Sequence, residues 1–181
     1  MPARLMQHFR QTIQVESACT LIGNGLPEIN RRDSLSGYSQ TMKLDDSSQP
    51  TLHITRSEFT QLLQRLADGW NDGNARQASE CFTEDALYTE PPDKQYYSGR
   101  DALYKFFGGD NGRAGDMNMV WHHIVFDEEK QIGAGEFTFT YGEPVHGVTM
   151  IKVRSGLISN WREYWYPSPL SWEAFTERNS F

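Results

Sequence analysis

The sequence predicts an α+β fold in which three helices precede a curved antiparallel sheet. Between residues 55 and 107 the apolar residues recur mostly at helical spacing, whereas after residue 116 their period switches to two. The four strand-like segments that follow are joined by short runs of turn-forming residues, which suit an antiparallel meander. This order of elements favours packing of the helices on one face of the sheet.

The first 50 residues are predicted to lie outside this domain. They are rich in glycine, asparagine, aspartate, serine and other polar residues, which rarely build a hydrophobic core. We therefore expect a disordered or loosely attached tail over residues 1–50 and a folded domain over residues 51–181. Met42 is an alternative start site, so residues 1–41 need not belong to the native protein.

The first helix is predicted to begin at a capping box formed by Thr55 and Glu58. Turn-forming residues at positions 71–74 end it. The residues expected to face the core recur at helical spacing and are Phe59, Leu62, Leu63, Leu66 and Trp70.

Two shorter helices are expected after it. The second carries apolar residues on one side, and these are Ala75, Ala78 and Phe82. The third spans residues 99–107 and is closed by Gly108 and Gly109.

Five segments have the composition or alternation of strands. The first, residues 86–90, is stopped by Pro91 and Pro92, which cannot donate to a sheet ladder. The other four are residues 117–126, 132–141, 145–153 and 157–166. Tyr96 and Tyr97 fall in a predicted loop after the first strand, where they could close over a ligand.

Charge and composition narrow the classes of partner. The net charge is −7, and residues 1–50 hold five basic and five acidic side chains, so the acidic excess lies in residues 51–181. An acidic domain argues against nucleic acid or an anionic membrane as partner. The two cysteines form no disulfide framework and no apolar run suits a membrane helix, which makes a cytoplasmic protein the default.

Several kinds of chemistry lack a motif in this sequence. It has no histidine-rich or cysteine-rich metal spacing, no nucleophile elbow and no glycine-rich phosphate loop after a strand. We therefore expect no metal ion and no other cofactor.

The most informative segment is the last strand, where residues 161–165 read Trp-Arg-Glu-Tyr-Trp. Strand alternation puts Trp161, Glu163 and Trp165 on one face. A carboxylate between two indoles on a buried face must be paired or protonated, and either state can make a site. Glu163 is therefore the leading catalytic candidate. The alternative is an acid paired with a neighbouring arginine or tyrosine on a solvated strand.

Three further side chains could join it as catalytic residues. Glu90 and Tyr88 share a face of the first strand, so Glu90 could act as acid or base beside a Tyr88 donor; a solvated strand end is the alternative. His122 and His123 are adjacent, so regular alternation directs one imidazole to each face of the sheet. We choose His123 as the assisting residue, although the register is open and a core histidine bonded to backbone is the alternative.

Four motifs are similar, in sequence and in order, to those of a known family. They are Gly-Trp-Asn-Asp-Gly-Asn at residues 69–74, Phe-Thr-Glu-Asp-Ala at 82–86, Ser-Gly-Arg-Asp-Ala-Leu at 98–103 and Trp-Arg-Glu-Tyr-Trp at 161–165. Over residues 55–175 the chain resembles the SnoaL-like branch of the nuclear transport factor 2-like superfamily. The resemblance implies a cone-shaped curved antiparallel sheet with three N-terminal helices packed on its concave face. We also expect a homodimer formed through the outer sheet face.

The ketosteroid isomerases of this superfamily have catalytic residues whose positions can be compared with this sequence. Their general base ends strand one immediately before a proline, which is the position of Glu90. Their oxyanion-hole tyrosine and aspartate fall where this chain has Leu66 and Thr149, which argues against 3-oxosteroid isomerisation.

The catalytic residues of the limonene-type epoxide hydrolases can be compared with this sequence in the same way. Their last strand carries a catalytic aspartate at the position of Glu163. The partner arginine and second aspartate align with Phe137 and Phe139, so the water-activating triad of these enzymes is incomplete here.

Aromatic side chains are expected to line the pocket and contact the substrate. They are Trp161, Trp165, Phe137, Phe139, Tyr141 and Trp70. Such a lining suits an apolar small molecule that could be cyclic. Three functions are open: a cofactor-independent acid/base enzyme of isomerase or lyase type, a non-catalytic binding protein for a hydrophobic small molecule, or a dimeric interaction module of the same fold.

Overall fold

The computed structural model describes residues 52–91, 94–112 and 116–180 of the 181-residue chain. The predicted tail over residues 1–50 lies outside the described residues. Within the described ranges the elements follow the predicted order, with helices first and a strand meander second. No helix in these ranges is both long enough and apolar enough to cross a membrane.

The first helix, α1 (Arg56–Asn71), has the predicted capping box. The Thr55 hydroxyl accepts the backbone N–H of Glu58 at 3.3 Å, and the Glu58 carboxylate accepts the backbone N–H of Thr55 at 2.8 Å. Two N–H groups that a helix start leaves without helical partners are thus satisfied. The predicted apolar face is buried throughout, at Phe59, Leu62, Leu63, Leu66 and Trp70.

Two short helices complete the helical layer before the meander. Helix α2 (Ala75–Glu80) packs on α1 at Gly69, where a β-carbon would lie 2.8 Å from the backbone nitrogen of Ala78. The glycine is therefore required for this close approach. Helix α3 (Arg100–Phe106) follows later in the chain and buries Leu103 in the core.

Six strands form one curved open sheet. They are β1 (Phe82–Thr89), β2 (Tyr96–Ser98), β3 (Asn118–Asp127), β4 (Ile132–Tyr141), β5 (Glu143–Arg154) and β6 (Leu157–Pro167). Their order across the sheet is β2-β1-β6-β5-β4-β3. The strands β3 to β6 form the predicted antiparallel meander. The predicted α+β class is confirmed, but β1 pairs with β6 in parallel, so the sheet is mixed rather than wholly antiparallel.

Two details around β1 differ from the prediction. Phe82 begins β1 and pairs with Ile158, although its spacing suits the preceding helix. Tyr96 and Tyr97 form strand β2 instead of a loop, and Tyr97 pairs with Tyr88 of β1. In both places pairing with another strand overrides the local pattern.

The face of the sheet toward the helices, called the inner face below, carries the hydrophobic core. Register places Phe137 beside Gly147 on this face, and Thr149 beside Glu163. A β-carbon on Gly147 would lie 2.5 Å from the Phe137 ring, so the absence of a side chain lets this ring approach the neighbouring strand.

A β-bulge in β3 overturns the prediction for the two histidines. The register shifts between Trp121 and Ile124, both of which remain on the inner face. His122 and His123 therefore both lie on the opposite, outer face, where His123 Nδ1 lies 2.8 Å from the Glu136 carboxylate. The prediction that one imidazole points into the core side is wrong, because the extra residue of the bulge breaks the alternation on which it depended.

A fourth helix, α4 (Trp172–Thr176), lies beyond the predicted elements and packs on the outer face. The Ser171 hydroxyl caps it by accepting the backbone N–H of Ala174. The Trp172 ring stacks on the imidazole of His122, with centroids 3.9 Å apart and planes inclined by 5°. Part of the surface predicted to form a dimer is thus covered by the chain's own helix, and dimerisation through the rest stays a prediction.

Candidate functional site

Glu163 lies in the middle of β6, on the inner face and within the core, where it is 7% exposed. The ladder with β5 is regular along this part of β6, so Trp161 and Trp165 lie on the same face as Glu163. The predicted position of this carboxyl group between two indoles is therefore confirmed.

Two aromatic donors approach the same oxygen of this carboxyl group. The indole N–H of Trp161 donates to Oε2 of Glu163 at 2.7 Å. The hydroxyl of Tyr88, on the neighbouring strand β1, lies 3.5 Å from that oxygen. The parallel pairing of β1 with β6 brings the two aromatic residues together, because Tyr88 pairs directly with Trp161.

Glu90 follows the last residue of β1 and reaches the same tyrosine. The Tyr88 hydroxyl donates to Oε2 of Glu90 at 2.5 Å, a length typical of a hydroxyl bonded to a charged carboxylate. A phenol has one hydrogen, and the short bond takes it, so the longer contact to Glu163 is weak. Both carboxyl groups thus lie within 3.5 Å of a single hydroxyl oxygen.

This environment favours the neutral form of Glu163. Burial raises the pKa of the Glu163 carboxyl well above its usual value of 4.5, and the negative charge of Glu90 raises this pKa further. Hydrogen bonds from Trp161 and Tyr88 oppose the shift in pKa, because they stabilise the ionised carboxylate, but they do not cancel it. The two carboxyl groups are therefore expected to share one proton, held mainly by Glu163, and one negative charge.

Close ring packing holds both donors in place. The rings of Tyr88 and Trp161 stack with centroids 5.6 Å apart and planes inclined by 5°. Trp70 packs edge-on against Trp161, with a centroid distance of 5.8 Å. Tyr88 and Trp161 are only 2% and 1% exposed, so neither ring can turn without displacing its neighbours.

The inner face opens toward solvent just beyond Glu163. Along β6 the chain passes from buried Glu163 to half-buried Trp165, and at the adjacent end of β4 both Phe139 and Tyr141 are half-buried. Glu90 is half-buried as well. This end of the inner face, where the side chains beyond Glu163 become half-buried, is called the mouth below.

The six predicted substrate-binding rings fall into two groups. The core group, in which each residue is at most 7% exposed, is Trp161, Phe137 and Trp70. The half-buried group at the mouth is Phe139, Trp165 and Tyr141. Ligand contact stays a prediction for the second group, whereas the first group packs the core and supports the carboxyl pair.

His123 is not part of this arrangement. On the outer face it borders an open groove of about 800 Å³, together with Glu136 and Tyr164. The sheet lies between this groove and Glu163, so His123 cannot exchange a proton with a molecule held on the inner face. The structure thus brings together Glu163, Glu90 and Tyr88, and separates His123 from them.

The outer face also carries a hydrogen-bond chain that the sequence analysis missed. Thr138 Oγ1 lies 2.7 Å from His122 Nε2 and 2.9 Å from His146 Nδ1, and His146 Nε2 lies 3.0 Å from the carbonyl of Leu170. A carbonyl only accepts, so His146 donates from Nε2, Thr138 donates to His146, and His122 donates to Thr138. Burial lowers the pKa of His122, because it disfavours the charged imidazolium form. Glu136 and Thr138, at alternate positions of β4, are a sequence signal for this hydrogen-bond network, but only once the register is known.

The sheet and its helical layer define a nuclear transport factor 2-like fold. A nuclear transport factor 2-like protein of unknown function from Burkholderia xenovorans LB400 matches with a TM-score of 0.54 and 15% identity, over 69% of this chain and 94% of that chain. The family model of the SnoaL-like domain matches residues 63–161, which is more than half of the sequence. The chain belongs to the SnoaL-like family, as its motifs predict. No curated protein matches it.

Two enzyme-related structures share the fold. A candidate ketosteroid isomerase from Kribbella flavida DSM 17836 has a TM-score of 0.52 and 22% identity, over 69% of this chain and 92% of that chain. An LEH-like epoxide hydrolase from M. tuberculosis has a TM-score of 0.52 and 16% identity, over 61% of this chain and 84% of that chain. At such identities the likeness establishes the fold and leaves the activity to be argued from the site.

Proposed function

We propose that this protein is a small-molecule enzyme that performs cofactor-independent acid/base chemistry, namely isomerisation, dehydration or hydration, on an apolar substrate that could be cyclic. One observation carries the proposal: two carboxyl groups, one of them buried, lie within 3.5 Å of the same tyrosine hydroxyl. A pair that holds one proton offers an acid and a base to one substrate. The enzyme relatives of the same fold are compatible with this proposal.

The environments of the two carboxyl groups support different roles. Glu163 is the general acid, because its burial and the adjacent charge keep it protonated. Glu90 is the general base, because it accepts the short bond from Tyr88 and lies at the mouth. Tyr88 supplies a hydrogen bond to whichever oxygen carries the negative charge.

The position of Glu90 supports access of a substrate to the pair. Glu163 is fixed in the middle of a strand, whereas Glu90 lies one residue beyond the end of β1. A substrate entering at the mouth would displace the Glu90 carboxylate and leave the protonated Glu163 behind it. The half-buried rings of Phe139 and Trp165 would bind the apolar part of such a molecule.

A panel of neutral substrates tests this proposal with the full-length protein. The panel would contain cyclic enones for isomerisation, β-hydroxy ketones for dehydration, and epoxides for hydration. We expect Glu163→Gln and Glu90→Gln each to lower kcat by about a hundredfold or more, with a smaller effect on KM. Glu129→Gln removes a carboxylate from the exposed turn between β3 and β4 and should leave turnover unchanged.

The alternative is a non-catalytic binding protein for a hydrophobic small molecule. The half-buried rings at the mouth favour it to the same degree, because ring surface binds an apolar ligand without any proton transfer. Compounds that raise the melting temperature of wild type and of Glu163→Gln equally, and that neither protein converts, would support the binding protein and exclude the enzyme.

A further inference from the structure

The two oxygens of the Glu163 carboxyl group have different surroundings. Oε2 accepts the indole N–H of Trp161 at 2.7 Å, within the usual range of a strong N–H···O bond. In a protonated carboxyl group one oxygen carries the hydrogen and the other is a carbonyl oxygen, which is the better acceptor. The oxygen that accepts the indole N–H is therefore the carbonyl oxygen.

We propose that Trp161 is a positioning residue that confines the proton of Glu163 to Oε1. Its N–H holds Oε2 as the carbonyl oxygen, and this leaves Oε1 as the oxygen that carries the hydrogen in the resting protein. That the same hydrogen is then delivered to a substrate rests on the proposed function; its location on Oε1 does not. The role differs from the substrate contact predicted for Trp161 from the sequence.

Trp161 can perform this role because its indole is held on several sides. It stacks on Tyr88, and it packs against Trp70 edge-on, with planes inclined by 87°. Trp121 lies on another side at a centroid distance of 6.2 Å. An indole in such a setting keeps its N–H direction, which a water molecule at the same place would not.

Tyr88 does not compete for the same oxygen. Its hydrogen is taken by Glu90 at 2.5 Å, and its distance of 3.5 Å to Oε2 of Glu163 is at the limit of hydrogen bonding. The two stacked rings thus have different roles. Tyr88 stabilises the charged Glu90, and Trp161 orients the neutral Glu163. Without the indole N–H, the proton of Glu163 could reside on either oxygen.

Infrared spectroscopy of the resting, full-length protein tests the location of the proton. The C=O stretching band of protonated Glu163 is identified as the band that disappears in Glu163→Gln, with carboxyl-¹³C glutamate used to confirm the assignment. Loss of the donor to Oε2 should move this band to higher frequency in Trp161→Phe. Because the Trp161 bond stabilises the ionised carboxylate, the band should also persist to higher pH in this variant.

Trp70→Phe is the matched control. It removes a second buried indole from the same cluster, but one whose N–H is not bonded to Glu163. The phenylalanine ring still packs against Trp161, so we expect the frequency of the Glu163 band and the pH at which it disappears to be unchanged in this variant. If Trp161→Phe does not fold, 3-benzothienylalanine at position 161 keeps the ring shape and replaces the N–H by sulfur.

The proposal is overturned if the folded Trp161 variant keeps the wild-type band and the same pH of disappearance. It is also overturned if both variants shift the band equally, because the effect would then come from packing. These measurements need no turnover. If the band shifts in Trp161→Phe but the wild-type protein converts no substrate, the enzyme is excluded and the assigned proton position is kept. If the wild-type protein converts a substrate but the band does not shift, the enzyme is kept and the assigned proton position is excluded.

Discussion

As the pH rises, the variant Glu163→Gln should become increasingly more stable than the wild-type protein. The glutamine oxygen can accept the Trp161 N–H, and the glutamine amide can donate toward Glu90, as a protonated Glu163 does. Because glutamine does not ionise, the variant imitates the neutral carboxyl group at every pH.

The magnitude follows from proton linkage. In the unfolded chain Glu163 ionises around its usual value of 4.5, whereas in the folded protein its pKa is raised, so folding takes up a proton above that pH. The stability that the neutral carboxyl group contributes is fully present below the unfolded-state pKa. It is lost as the pH rises, at about 1.4 kcal/mol per pH unit, until the folded-state pKa is passed. The free energy of unfolding of Glu163→Gln minus that of wild type should grow with this slope.

Urea unfolding of wild type, Glu163→Gln and the control Glu129→Gln, from about pH 5 to about pH 8, measures the slope. The control removes an exposed charge and should run parallel to wild type. A constant difference between Glu163→Gln and wild type across this range would refute the reasoning, because Glu163 would then have the same pKa in both states.

Three further predictions concern the scaffold. Gly147→Ala should lower the free energy of unfolding by about 1–3 kcal/mol in urea melts, because the new β-carbon would meet the Phe137 ring at 2.5 Å; an unchanged melt would contradict the close contact. Thr55→Ala should cost about 1 kcal/mol through loss of the helix cap, measured by circular dichroism, and Thr55→Ser should restore most of it. The lowered pKa of His122 contributes stability above its usual value of 6.5 that is lost as the pH falls, so His122→Gln should flatten the acid side of the stability profile; an unaltered acid side would speak against it.

The sequence predicts those features that local patterns control. The sequence bounds helix α1 correctly, because Thr55 and Glu58 are close in the chain and the apolar period of the helix needs no distant partner. Glu163 and its flanking indoles were assigned to one face because β6 has no bulge between residues 161 and 167. The family motifs identified the fold for the same reason, since each lies within a single short segment.

The remaining features depend on contacts between distant residues. The meeting of Glu90 with Glu163 follows from the parallel pairing of β1 and β6, and no local pattern reports which strands are neighbours. The direction of the His123 side chain follows from the bulge in β3. The alternation of side chains before the bulge is regular, so the sequence does not reveal where the extra residue lies. Their roles in catalysis stay predictions for Glu163, Glu90 and Tyr88.

The parallel pairing of β1 with β6 also has a consequence for the order of folding. The meander from β3 to β6 closes only short loops, whereas the contact between Tyr88 and Glu163 closes a loop of 75 residues, which costs more chain entropy. We therefore expect β1 to dock last, on a meander that is already formed. In any intermediate that lacks β1, Glu163 is without the Glu90 charge and part of the burial that raise its pKa, so it ionises more readily. The chain thus acquires its protonated carboxyl group in the closing step of folding, and a partly folded molecule has no such acid.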